Sequence, residues 1–360
     1  MKRFQNISPL FFALICLLFS SCDKEEDQLN DSIKEQVTNE NQSKNLTTTL
    51  ASASIGIIGD PNDVTTSTSA GTLLMGGSVD VDEAMLWMLG KSGGGDIVIL
   101  RATGTDAYNQ YLFDLGNVNS VETLLINSRT KANDATVETT IRNAEAVFIA
   151  GGDQYDYVSY WKDTKVESAL NYLRNSKKVV IGGTSAGCAI QGGIYFDAEK
   201  GTVSSREALR DPYNPYLTLQ KHNFIDNPFL RDVITDTHYD NPDRRGRHIT
   251  FLARINNDWG INGKGIGLDE QTAVCIDANG KARVFGYGYA FFLNQHASGP
   301  ERCAPKKSLD WYRNKRAVKV YKVIANLSGS NYLWLDTWSN GTGGDWQFFF
   351  VDRGRLKISY

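Results

Sequence analysis

Short apolar runs alternate regularly with longer helical patterns along much of this chain, and this alternation limits the folds that the chain can adopt. The apolar runs are GTLLMGGS, DIVILRA, ETLLINS, AVFIAGG and KVVIGGT, and between them lie segments such as VDEAMLWMLGKS and YVSYWKDTKVESALNYLRNS. Strands that are buried on both faces read as continuous apolar runs, and the helices between them form right-handed crossovers. The pattern therefore predicts an α/β fold with a doubly wound, mostly parallel sheet. Ligands bind such sheets at the carboxyl ends of the strands.

The pattern changes beyond Phe291. Short aromatic-rich runs follow one another, KVYKVIANL, NYLWLDTW, WQFFFV and LKISY, and the glycine-rich turn SNGTGGD separates two of them. Runs of this kind predict antiparallel strands. A length of about 300 residues suffices for one large α/β domain with additions. We therefore expect an α/β domain over residues 51–298 and a small antiparallel β appendage, packed on it, over residues 299–360.

The N-terminus predicts export and a lipid anchor. Two basic residues precede an apolar run too short to span a membrane, and two serines stand directly before Cys22. This arrangement resembles a bacterial lipoprotein processing site. It predicts a signal peptide over residues 1–21 and lipidation of Cys22, with ordinary cleavage near Ser21 as the alternative. Residues 22–50 are polar and acidic, which predicts a disordered tether. The expected location is the outer membrane, at the cell surface or in the periplasm.

The composition narrows the classes of partner. The formal net charge is −3, which favours neither nucleic acid nor an acidic polymer as a partner. The chain has 5 cysteines but neither paired CxxC motifs nor HExxH, so we expect no metal and no cofactor. In an oxidising compartment Cys275 and Cys303 could pair, although the sequence alone does not show it. A homodimer is compatible with the sequence, which does not fix the oligomeric state.

The segment GTSAG, from Gly183 to Gly187, lies between an apolar run and a helical pattern. It fits the G-x-S-x-G nucleophile elbow, in which a serine hydroxyl stands exposed beside free N–H groups of a helix. Small neighbours are needed because a strand that turns at once into a helix brings Cβ atoms together. The motif predicts Ser185 as a nucleophile. A tight strand–helix turn with an uninvolved serine is the alternative.

A serine nucleophile needs a base, and the chain has only 4 histidines. His238 follows a strand pattern and precedes a loop that enters a helix, so it could face the elbow. His248 lies within that helix, where a surface or packing role is favoured. The acidic residues between the serine and His238 that could orient the imidazole are Asp197, Glu199, Glu207 and Asp211. No spacing rule selects among them.

Four motifs in this chain resemble those of peptidase family S51. They are AGGDQ at 150–154, GGTSAG at 182–187, DTHYDNPDRRGR at 236–247 and GIGLDEQTAV at 265–274. With the sheet pattern, the resemblance covers roughly residues 71–293, and it is closer to the cyanophycinases than to the shorter aspartyl dipeptidases. It implies a three-layer α/β/α fold of the class I glutamine amidotransferase type. It also implies a serine peptidase that cleaves peptide bonds beside aspartate.

The resemblance further implies particular site residues. The triad would be Ser185, His238 and, because the acid is expected between them in the chain, Glu207. The N–H groups of Gly152 and Ala186 would form the oxyanion hole. The substrate contacts would be Asp153, Gln154, Asp236, Thr237, Arg244 and Arg247. For Asp153 a helix N-cap is the alternative, and for residues 269–272 a structural turn before a buried strand is equally compatible.

The sequence departs from the family pattern at two positions. The usual D-Q-H is Asp236-Thr237-His238 here, and Pro242 stands near the place of an expected arginine. A bidentate arginine contact is not replaceable by proline, so these changes leave the exact substrate open. Arg244 and Arg247 keep their spacing from the histidine.

Two functions from different classes are compatible with these observations. The first is a peptidase for a peptide or isopeptide substrate, which hydrolyses β-aspartyl bonds such as β-Asp-Arg in cyanophycin-like polymers. The second is a catalytically inactive lipoprotein that keeps the fold and binds a ligand. Amide transfer by Cys188 does not fit, because Cys188 follows the apex of the elbow instead of occupying it. The intact serine, histidine and candidate acid favour the peptidase.

Overall fold

The computed structural model describes residues 50–360. The predicted signal peptide, the lipidation site at Cys22 and nearly all of the predicted tether lie outside these residues. The described residues belong to one compact unit. Every helix among these residues is too short or too polar to span a lipid bilayer.

Strands and helices alternate through the first half of the unit. In chain order the strands are β1 Ser54–Gly59, β2 Gly71–Met75, β3 Asp96–Arg101, β4 Ser120–Leu125, β5 Ala146–Ile149, β6 Val180–Thr184, β7 Ile194–Phe196, β8 Leu219–Lys221, β9 Val233–Asp236, β10 Lys264–Leu268, β11 Thr272–Asp277, β12 Lys281–Gly286, β13 Tyr289–Gln295, β14 Val318–Ile324, β15 Tyr332–Trp334, β16 Gly341–Thr342, β17 Gly344–Asp352 and β18 Arg355–Ser359. The α-helices are α1 Asp82–Lys91, α2 Ala107–Leu115, α3 Arg129–Ala132, α4 Ala135–Asn143, α5 Gln154–Trp161, α6 Lys165–Tyr172, α7 Ala186–Ala189, α8 Ser205–Arg210 and α9 Arg245–Trp259. A π-helical segment, Leu173–Lys177, extends α6, and a 3-10 segment spans Arg313–Lys315.

The first sheet of the described unit has the strand order β1-β4-β3-β5-β6-β2-β11-β12-β15-β16. The five strands from β4 to β2 in this order run parallel, and the outer pairs are antiparallel. Helices α1 and α2 cover one face, where Met88 and Leu112 belong to one buried cluster with Ile97. Helices α4 to α6 cover the other face, where Ile141 shares a buried cluster with Val98. The predicted three-layer, doubly wound arrangement is therefore confirmed.

The second sheet has the order β18-β17-β14-β13-β10-β9-β7-β8, and β9 runs parallel to both β10 and β7. Strand β14 pairs with all seven residues of β13, and β15 pairs with β12 in the first sheet. The segment at 299–360 is antiparallel, as the sequence predicted. Its strands nevertheless extend both sheets, so it is not an appendage packed on the outside of the α/β domain.

The structure does not pair Cys275 with Cys303, because both are free thiols. Cys275 is buried in the cluster beneath α1, whereas Cys303 packs against the cluster of the second sheet. Burial raises the pKa of both thiols, so both are protonated at neutral pH.

The carboxyl ends of β2, β5, β6 and β9 meet at one edge of the molecule. The loop after β2 joins the two sheets there. The Gly76 carbonyl accepts the N–H of His238 at 2.8 Å, and the Gly77 carbonyl accepts the N–H of Gln271 at 3.1 Å. This edge is where a doubly wound sheet binds its ligands.

Candidate active site

Ser185 stands at the apex of a tight turn between β6 and α7. Its backbone has a φ of 50° and a ψ of −116°, a conformation that is rare for a residue with a Cβ. A Cβ on Gly183 would collide with the carbonyl of Gly187, and a Cβ on Gly187 would collide with the carbonyl of Ile149. The small neighbours are therefore required by space. The turn has the geometry of a nucleophile elbow.

His238 reaches this turn from the loop after β9. Its Nε2 lies 2.9 Å from the Oγ of Ser185. The approach depends on Gly77, because a Cβ there would lie 2.5 Å from the imidazole ring. His238 itself has a positive φ of 46°. The serine and the histidine singled out from the sequence are thus brought into contact.

The third member of the site is Glu270. Its Oε1 lies 2.7 Å from the Nδ1 of His238, and each of the two side chains is 24% exposed. Glu270 follows β10, the parallel neighbour of β9, so the two loops leave their sheet at the same edge. Because Nε2 faces the serine and Nδ1 faces the carboxylate, the three side chains have the arrangement of a Ser-His-acid triad.

The prediction that Glu207 orients His238 is wrong. The Glu207 carboxylate accepts hydrogen bonds from the side chain and the backbone N–H of Ser204, at 2.7 and 3.0 Å, and these bonds lower its pKa. This is a capping box at the start of α8. The sequence carried a signal for it, since residues 204–207 read S-x-x-E. A signal for Glu270 also existed, because the pair Asp269-Glu270 follows the apolar strand GIGL.

The other acids considered from the sequence are engaged elsewhere or stand apart from the histidine. The amide of Gln220 donates to Asp197 at 2.9 Å. The N–H of Tyr213 donates to Asp211 at 3.0 Å. Glu199 is exposed to solvent.

Asp236 and Arg247 form a buried ion pair beneath the site. Arg247 Nε donates to one carboxylate oxygen of Asp236 at 2.9 Å and Nη2 donates to the other at 2.5 Å, with both side chains at most 5% exposed. Burial opposes ionisation of Asp236, but the charge and hydrogen bonds of Arg247 outweigh it and hold the pKa of the carboxyl below its ordinary value. The predicted substrate contacts of Asp236 and Arg247 are therefore wrong, because each satisfies the other.

Arg244 differs from Arg247 although it lies only three residues away. It is partly buried, and its Nη1 donates to the Thr237 carbonyl at 3.0 Å. Burial and the nearby charge of Arg247 lower the pKa of Arg244 to about 10, so it keeps its charge at neutral pH. Thr237 is itself buried, and its N–H donates to Asp236 at 3.0 Å. Of the two arginines, Arg244 is the one whose guanidinium is not held by a carboxylate.

The glycine turn after β5 lies against the serine. A Cβ on Gly151 would lie 3.6 Å from the Cβ of Ser185. Asp153 caps α5 by accepting the N–H of Tyr155 at 2.9 Å, as the N-cap alternative has it, and its predicted substrate contact stays a prediction. Gln154 is the first residue of α5 and is partly buried. The substrate contact of Gln154 and the oxyanion roles of Gly152 and Ala186 stay predictions.

Two further titratable groups lie close to the triad loops. His248 is fully buried, and burial lowers its pKa to about 4. It packs edge-on against Tyr239, with 5.4 Å between ring centroids, so of the two roles expected from the sequence the structure shows packing and not surface exposure. Asp269 accepts the N–H of Tyr289 at 3.0 Å, and burial, with the charge of Asp240, raises its pKa to about 6.

A cavity of about 280 Å³ lies near the same edge, and its lining includes Tyr155, Glu199 and Gln220. Tyr155 belongs to the first turn of α5, next to Gln154. The loop that carries Glu199 follows β7, the second parallel neighbour of β9, with Ile194 opposite Ile234. Neighbouring strands lie about 4.8 Å apart, so this loop leaves the sheet beside the loop that carries the histidine.

Within residues 50–360 no group of three or more His, Cys, Asp or Glu side chains is placed to hold a metal ion.

Comparison with known proteins adds the family. The sequence profile of peptidase family S51 matches residues 73–284, which is more than half of the chain. The cyanophycinase of Synechococcus elongatus is 27% identical over 181 residues, 50% of this chain and 51% of that protein. The cyanophycinase of a Nostoc species is 25% identical over 177 residues, 49% of this chain and 54% of that protein. The chain thus spans about half the length of the curated relatives it matches.

Among solved structures, a peptidase from an acI-B1 actinobacterium matches 62% of this chain and 90% of its own, with 13% identity and a TM-score of 0.44. The S51 profile includes the segments that hold Ser185, His238 and Glu270. The chain therefore belongs to peptidase family S51.

Proposed function

We propose that the chain is a serine-type peptidase in which Ser185, His238 and Glu270 act as the catalytic triad. The observation that carries this proposal is the continuous contact from the serine hydroxyl through the imidazole to the carboxylate, with distances of 2.9 and 2.7 Å. Membership of peptidase family S51 supports the reaction type. The similarity to proteins named cyanophycinase supports an aspartyl-containing substrate.

The roles of the triad follow from its geometry. His238 takes the hydroxyl proton at Nε2 while the oxygen of Ser185 attacks the scissile carbonyl, and then gives the proton to the leaving amine. Glu270 accepts a hydrogen bond from Nδ1–H and stabilises the imidazolium ion. Ala186 is the first residue of α7, where an N–H has no partner within the helix. We assign this N–H and that of Gly152 to the oxyanion hole.

The proposed substrate bond is a β-aspartyl bond. A β-linked aspartyl residue carries a free α-carboxylate next to its scissile carbonyl, whereas an ordinary α-peptide does not present a carboxylate there. A guanidinium can bind this carboxylate through two hydrogen bonds. Arg244 is the arginine proposed for this contact, because the Arg247 guanidinium is held by Asp236.

The deciding experiment compares β-linked and α-linked substrates. Purified protein starting after Cys22 is assayed with cyanophycin and with β-aspartyl dipeptides against matched α-linked isomers. We expect the β isomers to be cleaved faster, and Ser185→Ala to lose about 10⁴-fold or more in turnover while remaining folded. Equal rates on both isomers would refute the β-aspartyl specificity. No hydrolysis, together with no labelling of Ser185 by a fluorophosphonate, would favour the inactive binding lipoprotein.

We also propose that the mature chain is a lipoprotein attached to the outer membrane through Cys22. The support is the basic start, the short apolar run and the two serines directly before the cysteine. The polar residues 22–50 would then separate the peptidase unit from the membrane.

A further inference from the structure

We infer that Asp240 is a positioning residue for the triad acid. Its Oδ1 accepts the backbone N–H of Glu270 at 2.9 Å. Asp240 lies two residues after His238 on the same loop. That loop therefore holds Glu270 twice: the imidazole contacts its carboxylate, and Asp240 binds its main chain.

The hydrogen bonds on either side of Glu270 show what the Asp240 side chain contributes to its position. Two backbone hydrogen bonds flank Glu270: the N–H of Tyr239 donates to the Leu268 carbonyl at 3.0 Å, and the N–H of Gln271 donates to the Gly77 carbonyl at 3.1 Å. The hydroxyl of Thr272 donates to the carbonyl of Glu270 at 3.2 Å, so the N–H of Glu270 is the group that Asp240 holds. Between the two backbone hydrogen bonds, the side chain of Asp240 holds the main chain of the acid itself. Among the described residues, the bond to the Glu270 N–H is the one hydrogen bond that the Asp240 side chain makes.

The exposure of Asp240 to solvent distinguishes a role in positioning Glu270 from a role in the stability of the fold. Asp240 and Glu270 are both at the surface, Asp240 being exposed. An exposed N–H that loses its protein acceptor can bond to water at little cost to the fold. Loss of the Asp240 side chain should therefore leave the fold intact and release the Glu270 main chain. A misplacement of about 1 Å in a catalytic group can cost about 100-fold in rate.

The inference rests on the proposed triad, and it is tested with variants that separate hydrogen bond from charge. Asp240→Ala removes the acceptor, whereas Asp240→Asn removes the charge and keeps an oxygen at the same place. Asp243→Ala is the matched control, because Asp243 is an exposed aspartate of the same loop whose carboxylate binds the side chain of Arg245. Each variant is compared with Glu270→Gln and with the double variant of Asp240→Ala and Glu270→Gln.

The readouts are the rate at which a fluorophosphonate labels Ser185, kcat and KM on a β-aspartyl dipeptide, and thermal unfolding. We expect Asp240→Ala to be labelled about 10- to 100-fold more slowly, with kcat lowered in proportion and KM changed by less than about 2-fold. Asp240→Asn and Asp243→Ala should stay near the wild type. The double variant should react no more slowly than Glu270→Gln alone, because Asp240 acts only through that residue.

Three results would overturn the inference: unchanged labelling of Asp240→Ala, an equal loss in Asp240→Asn, or additive losses in the double variant. If the wild type labels normally and one of these results is found, the proposed peptidase function stands and only the role of Asp240 falls. If the wild type is not labelled at Ser185, the peptidase function falls, and the positioning role falls with it.

Discussion

Replacement of Glu270 by glutamine tests the triad most directly, because the change keeps the size of the side chain and removes its charge. Glu270 lies on the side of the imidazole away from Ser185, so it does not contact the hydroxyl that attacks the substrate. A glutamine amide can also donate toward Nδ1 and favour the wrong tautomer of the histidine. We therefore expect kcat to fall and KM to change little.

The size of the loss follows from the ion pair that forms when His238 takes the serine proton. Two unit charges about 4 Å apart attract by about 4 kcal/mol at an effective dielectric constant of about 20. Since about 1.4 kcal/mol corresponds to a tenfold change in rate, this is about 10³-fold in kcat. Both side chains are 24% exposed, so water screens part of the attraction. The expected loss is about 10²- to 10³-fold.

The chain offers a matched control in Glu207→Gln. Glu207 is the acid that chain order favoured, but its carboxylate binds Ser204 at the start of α8. A glutamine oxygen can still accept these hydrogen bonds, so kcat should stay within about 2-fold of the wild type. The assay measures kcat and KM on a β-aspartyl dipeptide for both variants, with circular dichroism to verify folding.

The outcome for the pair decides between the two acids. A Glu270→Gln enzyme within about 3-fold of the wild type in kcat would refute the electrostatic argument, because the lost attraction would then be worth less than about 1 kcal/mol. A large loss in Glu207→Gln, with normal activity in Glu270→Gln, would show that the contact at 2.7 Å does not persist during catalysis.

Three further predictions concern stability, specificity and location. Arg247→Ala should lower the free energy of unfolding by about 3–5 kcal/mol in urea titrations, because it leaves Asp236 buried and unpaired. Arg244→Ala should instead raise KM for β-aspartyl substrates about 10-fold or more with unchanged stability. If the two variants lost equal stability and changed KM equally, the result would contradict the structure. The pKa of Asp269 is raised to about 6, so the free energy of unfolding should fall as the pH rises from the ordinary carboxyl range through 6. Asp269→Asn should raise the free energy of unfolding by ~1–2 kcal/mol at pH 8 and leave it unchanged at pH 3. A gain in stability that is independent of pH would refute this. Cys22→Ala should move the protein from the membrane to the soluble fraction and abolish labelling by a fatty-acid probe, whereas retained labelling would exclude this anchor.

The parts of the fold that could be predicted are those where burial alone dictates composition. Strands β3, β5 and β6 are buried throughout or nearly so, and each contains a run of apolar residues and glycines with no charged residue inside it. The pairing of the C-terminal strands could not be predicted in the same way. Alternating and aromatic residues indicate that β14 is a strand, but its partner β13 ends more than twenty residues earlier in the chain. A strand pattern specifies which face is buried, and it does not specify the neighbour.

The triad shows a similar division between local and non-local information. Ser185 and His238 could be found because each lies within two residues of the end of a strand, and the carboxyl ends of parallel strands meet at one edge. Glu270 obeys the same rule, yet the expected order of serine, acid and histidine directed attention to Glu207. A triad is defined by the positions of its groups in space, and unrelated folds arrange them in different chain orders. Proximity to a strand end was the better guide.

The two arginines show how far a sequence can predict which charged side chains pair with each other. Arg244 and Arg247 are three residues apart near the start of α9, and their spacing alone does not indicate which of them would bind a substrate carboxylate. The strand before them reads VITD, and an aspartate in a buried strand needs a buried cation. A basic residue of the segment that follows is therefore expected to pair with Asp236, and the structure identifies it as Arg247. Of these two arginines, Arg244 is the one whose guanidinium has no carboxylate partner, so the proposed preference for β-aspartyl bonds depends on that side chain.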